Sequence, residues 1–329
     1  METERNPSPP RAEGSVSAGV GAKQEDVEAS TMEGDSIGST MFSKRFVLRT
    51  LQAVLKETVT FEKTSKAEGS AEELDSELED NLCKLWDMTT NAEVGAFLLE
   101  SEVFAIFSNA LYSMNKPRMS EILLGTLSNI ACDPRNLSEL VRKGGAKLSE
   151  LVFTVLKWRD SQTLIEATKL LLVVLTAGHW NEEWTTQFDT STTWNDLAFI
   201  LRSTTNEALL ENVAQITDIL VDGDRCNVMD RRGPGESPPD SWTPLLVGLE
   251  EALSSKNHLA MSFLAHCLQC MTHSEDGIRS LALQKDRLLS TLLACVQLLA
   301  DKETTTSTEV DQNTRASALR IARILEDQA

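Results

Sequence analysis

The chain has 329 residues, 41% of them apolar and 25% charged, with a formal net charge of −19 at pH 7. Its isoelectric point near 4.7 argues against a nucleic-acid backbone or an anionic membrane as the main partner, because both need a positive surface. Six cysteines spread through apolar runs suit reduced thiols in a cytosolic or nuclear protein better than a disulfide framework. The N-terminus carries no apolar segment of the secretory type, and no run approaches the roughly 18 apolar residues that span a bilayer.

Residues 1–40 are rich in Ser, Gly, Pro and Glu. They hold too little apolar surface to offset chain entropy and are predicted to be a disordered tail. Their removal is expected to leave stability almost unchanged. Ser8 precedes Pro9, which suits a proline-directed kinase and equally suits a solvated linker. Gly14-Ser-Val-Ser-Ala-Gly19 has the spacing of half a phosphate loop but lacks the Lys-Ser/Thr that completes one. Residues 41–100 are predicted to form N-terminal helices. Phe46, Val47, Leu51, Val54, Leu55 and Val59 are expected on one helical face, and Thr60 to Ala71 reads as a linker. Leu74, Leu78, Leu82 and Leu85 run through an acidic stretch as an amphipathic helix with an acidic outer face. The sharper alternative is a docking strip for a basic partner. Thr90 and Glu93 have capping-box spacing.

From residue 101 to 329 the pattern repeats. Leu111, Leu156 and Leu201 each end an apolar run at a spacing of 45 residues, and Phe107, Val152 and Leu197 mark one position within it. Ten residues later come Glu121, Glu166 and Glu211, read as equivalent helix starts where a negative side chain suits the helix dipole. A period of roughly 40–47 residues with helical patterning predicts an all-α, right-handed solenoid of the armadillo or HEAT kind. Asp133-Pro134 and Gly144-Gly145 break the helices. Gly- and Pro-rich residues 222–241 and Thr-rich residues 301–314 are predicted loops. Leu172, in the run Leu170 to Leu175, is expected to face a repeat interface.

Catalytic signatures are missing. There is no Gly-x-Ser-x-Gly, His-Glu-x-x-His, complete phosphate loop or dinucleotide fingerprint, so no enzyme activity, cofactor or metal is expected. His266, Cys270 and His273 share a helical face that could offer zinc three ligands. The core-facing run and the want of a fourth ligand favour a packing role for Cys270. Two residues stand out as candidates for partner binding. Asn129 lies in Leu-Ser-Asn-Ile-Ala, where an armadillo-type Asn points into the concave groove and bonds an extended peptide; its counterparts here are Val174 and Ile219. Its stronger reading is as a buried amide that bridges helices, because a buried amide must find partners. Trp158 lies in a polar inter-helix turn, Lys157-Trp158-Arg159-Asp160, where a core role is hard to satisfy, unlike most of the six tryptophans.

Asn6-Pro-Ser-Pro-Pro10, Asp35 to Thr40 with Phe42-Ser43-Lys44, and Glu79 to Met88 resemble the serum amyloid A-like family. So do Ile130-Ala-Cys132 and Glu275-Asp-Gly-Ile278. The resemblance covers nearly the whole chain; Trp86-Asp87-Met88 and Ile37-Gly38-Ser39-Thr40 are its most specific parts. It implies a nuclear protein, with the cytoplasm as a second location, and no likeness to the small secreted apolipoprotein of similar name. It also implies a non-enzymatic protein-interaction scaffold that promotes cell proliferation, notably of fibroblasts under inflammatory stimuli. The alternative is a transport-type adaptor holding a short peptide signal in its groove. In both, the partners are proteins, and neither nucleic acid nor membrane is engaged. A ladder of Asn and Trp on the concave face favours the adaptor, and a mixed apolar and acidic face the scaffold.

Overall fold

The computed structural model describes residues 34–64, 74–114, 116–179, 181–190, 192–222, 242–300 and 309–326. Sixteen helices and no strand lie among the described residues, with one isolated bridge between Ser36 and Ser43. Helix α1 (Lys44–Thr64) buries Val47, Leu51, Val54 and Thr58 at three- and four-residue intervals, the stripe of a helix with one packed face. It runs into the stretch expected as a linker. Helix α2 (Ser76–Met88) is capped by Asp75, whose carboxylate accepts from the Leu78 N–H. It turns Leu78, Leu82, Leu85 and Met88 inward.

Five units follow the same plan. The first is α3 (Ala92–Glu100), α4 (Val103–Ser113) and α5 (Pro117–Ala131). The second is α6 (Pro134–Gly144), α7 (Ala146–Val155) and α8 (Ser161–Thr176). The third is α9 (Glu182–Thr190), α10 (Thr193–Ser203) and α11 (Glu207–Asp222). The fourth has α12 (Thr243–Ser254) and α13 (His258–Met271). The fifth is α14 (Glu275–Ala282), α15 (Lys285–Ala300) and α16 (Glu309–Glu326). The punctuation is local chemistry. Asp133 accepts from the N–H groups of Arg135 and Asn136, and Pro134 sits at the first helical position, where its missing N–H costs nothing. Gly145, at φ +49° and ψ −141°, occupies backbone space closed to side-chain-bearing residues and separates α6 from α7.

The core is continuous through the solenoid. Helices α2, α5, α8, α11, α13 and α16 pack one on the next in a single row. Outside that row, α1 packs on α4, and α12 packs on α10 and α15. The second helix of each of the first three units places Phe107, Val152 or Leu197 in the core, each with no solvent exposure. Trp184 on α9 is sealed in by Phe153 of α7, ring centroids 5.7 Å apart and edge to face, and Trp242 is also buried. Trp180 lies outside the described residues, as do residues 1–33 and 223–241.

Several expectations change. Residues 34–40, assigned to the tail, are part of the fold: Ile37 is 2% exposed within the core. The Ser39 N–H donates to Glu93 Oε2 at 2.7 Å, and its hydroxyl to Oε1 at 3.0 Å. Gly38 makes this possible. It sits at φ +54°, and a Cβ there would collide with the Glu93 carboxylate. Glu93 therefore forms no capping box; Asn91 caps α3 instead, and Thr90 bonds back to the Asp87 carbonyl. At the other end, residues 309–314, expected in a loop, are the first turns of α16, which bury Asp311 and Thr314. Leu172 is only partly buried, and Leu171 beside it is 1% exposed.

Two measurements check this packing. Leu171→Ala is expected to cost about 2–5 kcal/mol, the usual range for a truncated core leucine, and Leu172→Ala less than half of that, read from urea unfolding midpoints. Removing residues 1–40 is expected to cost about 2 kcal/mol more than removing residues 1–33, since only the longer deletion takes Ile37 out of the core. Equal midpoints for the two truncations would place Ile37 outside it.

Candidate protein-interaction site

The inner row leaves one strip of side chains uncovered, and its register decides what that strip can bind. The third helices α5, α8 and α11 begin at Pro117, Ser161 and Glu207, so the spacing is 44 and then 46 residues rather than a constant 45. Counted from the capping residues Lys116, Asp160, Asn206 and Asn257, Asn129 corresponds to Val173, Ile219 and Cys270. Val174, its counterpart under uniform spacing, is buried in the interface. One position of this strip thus carries an amide, two aliphatic groups and a thiol. No row of asparagines exists to bond a peptide backbone.

Asn129 itself is occupied. Its Nδ2 donates to the Trp86 carbonyl at 3.2 Å and to Thr89 Oγ1 at 3.4 Å, both on the preceding inner helix or its cap. It is the helix-bridging amide. The same device recurs along the solenoid. Asn136 Nδ2 donates to the Ala92 carbonyl at 2.9 Å, and Lys143 Nζ to the Leu99 carbonyl at 2.7 Å. Asn212 Nδ2 donates to Thr168 Oγ1 at 3.0 Å, and Asn257 Nδ2 to the Glu207 carbonyl at 3.3 Å. These bonds tie each repeat to its neighbour and satisfy polar groups that stacking removes from water. Trp86 also serves the stacking: it lies over Gly125 of α5, where a Cβ would collide with its indole ring.

The three glutamates sit in the second turn of their helices, one turn in from the expected starts, so the dipole has little hold on them. Glu121 and Glu211 are equivalent, and Glu166 is one residue out of step. Each is held locally: Glu121 by Arg118 at 2.8 Å, Glu166 by Lys169 at 2.6 Å, and Glu211 by Asn257 Nδ2 at 3.5 Å. Nothing gathers them into a reacting centre. Among the described residues no group of three His, Cys, Asp or Glu side chains could hold a metal ion, and His273 is exposed.

Trp158 has a different setting. It packs partly against the core and lines a cleft of about 540 Å³ with Arg159, Leu164, Phe199, Ser203 and Leu209. The cleft opens at the solenoid edge, between the α7–α8 turn and the α10–α11 turn. Phe199 is 54% exposed. Sequence reasoning passed over it because Leu197 to Leu201 reads as one buried run. Its signal is helical phase: Leu197, Ile200 and Leu201 are buried, which leaves position 199 on the outer face.

A helical solenoid with a continuous inner row and bridging amides between repeats is an armadillo-type repeat protein. A solved structure of computationally designed armadillo repeat proteins for modular peptide recognition superposes with a TM-score of 0.52 at 14% identity. That match covers 81% of this chain and 99% of the other. An engineered protein gives 0.50 at 15% identity, with 81% and 98% covered. The particular relatives are the SAAL1 proteins. Residues 193–321, from the start of α10 into α16, match the SAAL1 C-terminal domain. The chain is 30% identical over 288 residues to protein saal1 of Danio rerio, covering 85% of this chain and 58% of that protein. It is 28% identical over 265 residues to protein SAAL1 of Homo sapiens, covering 75% and 55%. The chain is thus a homologue of the SAAL1 proteins and spans less than two thirds of their length. Among the described residues no single helix is long and apolar enough to cross a membrane.

Asn129→Ala is expected to lower stability by about 1 kcal/mol, as loss of one buried hydrogen-bonding group does, read as a shift in the denaturation midpoint. An unchanged midpoint would return Asn129 to the list of groups free to bind a ligand.

Proposed function

We propose that this chain is a non-enzymatic protein-interaction scaffold that holds a protein partner at the Trp158–Phe199 cleft. The observation that carries this reading is Phe199, a large aromatic half in solvent beside a second aromatic and a roomy cleft. Aromatic anchors with partly exposed faces dominate protein interfaces because they bury much area at little entropic cost. The net charge of −19 steers approach by a partner with a basic surface around its apolar anchor. The adaptor reading finds less support. It needs a repeated backbone-binding group, and the inner strip offers Asn129, Val173, Ile219 and Cys270 with Asn129 already bonded. The serum amyloid A-like resemblance of Ile37 to Thr40 and Trp86 to Met88 supports extending the reading to a nuclear protein that promotes cell proliferation.

The test is a photoreactive phenylalanine analogue placed at position 199, with the same group at Leu283, which is 80% exposed, as a control for indiscriminate stickiness. One discrete protein adduct is expected from position 199 and none of that mass from 283. Trp158→Ala should weaken it roughly tenfold, the effect of removing a modest anchor residue. Identical adduct patterns from both positions would overturn the cleft as a specific site.

A further inference from the structure

Among the described residues, the interface between α11 and α13 carries a side-chain arrangement that the equivalent positions of the preceding units do not repeat. Asp218 on α11 faces His266 on α13, with Asp218 Oδ1 2.6 Å from His266 Nδ1. One helical turn further along α13, Cys270 Sγ lies 3.7 Å from His266 Nε2. The residues equivalent to His266 in the preceding units are Gly125, Lys169 and Gln215, none of which can relay a proton between a thiol and a carboxylate. His266 and Asp218 line a cleft of about 420 Å³ together with Phe263, Gln269, Ser317 and Arg320. Cys270 follows Gln269 of that lining in the chain and is itself partly exposed.

We propose that Cys270, His266 and Asp218 form a peroxide-reactive thiol site, at which Cys270 is oxidised stoichiometrically to a sulfenic acid. A carboxylate against Nδ1 makes that nitrogen the donor and leaves Nε2 with the lone pair. Nε2 is then placed to accept the Cys270 S–H proton, the arrangement of nucleophile, base and orienting group that activates a thiol. Asp218 is a positioning residue; it touches the ring and not the reacting atoms. In the reaction the thiol proton passes to Nε2, and the sulfur lone pair attacks one oxygen of hydrogen peroxide. The S–O bond forms as the O–O bond breaks. The departing hydroxide takes the proton from the imidazolium and leaves as water. Sulfur loses two electrons, the peroxide gains them, and Cys270 ends as Cys–SOH.

The neighbouring thiols supply the contrast. Cys267, three residues earlier, is fully buried, and burial, reinforced by the Asp218 carboxylate, pushes its thiol well up. Burial holds the Cys295 thiol at about 12. Neither has access to an oxidant. Cys132 is exposed, and its Sγ donates to the Ser128 carbonyl at 3.4 Å, an acceptor too weakly basic to take the thiol proton.

The test treats the full chain with hydrogen peroxide in the presence of a cyclic 1,3-dione that traps sulfenic acids, and measures each cysteine by peptide mass spectrometry. Cys270 is expected to trap at least roughly tenfold faster than Cys132, as an activated thiol does beside an ordinary one. His266→Ala should slow Cys270 by roughly 100-fold, the lower range of a positioned general base, and leave Cys132 unchanged. Added imidazole should restore part of the lost rate, which it would not do if His266 merely held the helix. Asp218→Asn should slow Cys270 by a smaller factor. If a variant unfolds, Cys267 and Cys295 become reactive too, and the comparison of Cys270 with Cys132 within the unsubstituted chain decides alone. Equal rates for those two cysteines, or a Cys270 rate indifferent to His266→Ala with no imidazole effect, would overturn the site.

Discussion

Stacking of the third helices on one another sets the terms for everything else in this molecule. An inner helix such as α8 has neighbours on both sides along the row, α5 before it and α11 after it. It must therefore be apolar on two faces, and ten of its sixteen residues are buried. That requirement explains the run Leu170-Leu-Leu-Val-Val-Leu175, which is too apolar for a surface helix and too short for a membrane. Burial on two sides also removes helix ends and polar groups from water. The bridging side chains Asn129, Asn136, Lys143, Asn212 and Asn257 answer that cost by bonding carbonyls or hydroxyls of the preceding repeat. Each repeat completes the hydrogen bonding of the one before it, so stability passes along the row between nearest neighbours.

The same demand limits where a partner can bind. An amide spent on bridging cannot also bond a ligand, and Trp86, spent on covering Gly125, presents less of its face to solvent. Exposed aromatic and polar groups are left where stacking is incomplete. One such place is the solenoid edge, where the turns around Trp158 and Thr204 stand apart and leave Phe199 bare. The other is the α11–α13 interface, where Asp218, His266 and Cys270 meet. Both are departures from the repeat, which is why the repeat itself says little about them.

Much of the architecture was legible in the sequence because the row imposes a period on apolar residues. Phe107, Val152 and Leu197 recur where the core needs them, and Asp133-Pro134 and Gly144-Gly145 mark real helix ends. The failures have a common cause, since each depends on a contact far away in sequence. Ile37 is one apolar residue in a polar stretch, and what orders it is Glu93, 54 residues from Ser39. Residues 309–314 read as loop from their threonine and acid content, yet Asp311 is buried against His258, 53 residues away, with Oδ1 2.8 Å from Nδ1. A uniform spacing of 45 misplaced the counterpart of Asn129 by one residue, because the turns absorb the difference between 44 and 46. Of the two candidate site residues, Trp158 was conspicuous because a tryptophan in a polar turn conflicts with its surroundings. Phe199, equally exposed to use, was masked by the apolar residues on either side.

The irregular interface has a physical origin in the same spacing. The capping residues Asn206 and Asn257 of α11 and α13 are 51 residues apart, five more than separate Asp160 from Asn206. With that register, α11 turns Asp218 toward α13 at the height of His266, where the equivalent residue of α8 is Leu172. A carboxylate at a helix–helix contact must find a partner or stay hydrated. His266 and the Cys267 thiol, 2.6 Å and 3.8 Å from its Oδ1, supply that partnership. The histidine thereby acquires a fixed ring orientation, and its second nitrogen is left facing Cys270. A histidine that partners a carboxylate within the stack places a base within reach of a thiol one helical turn away.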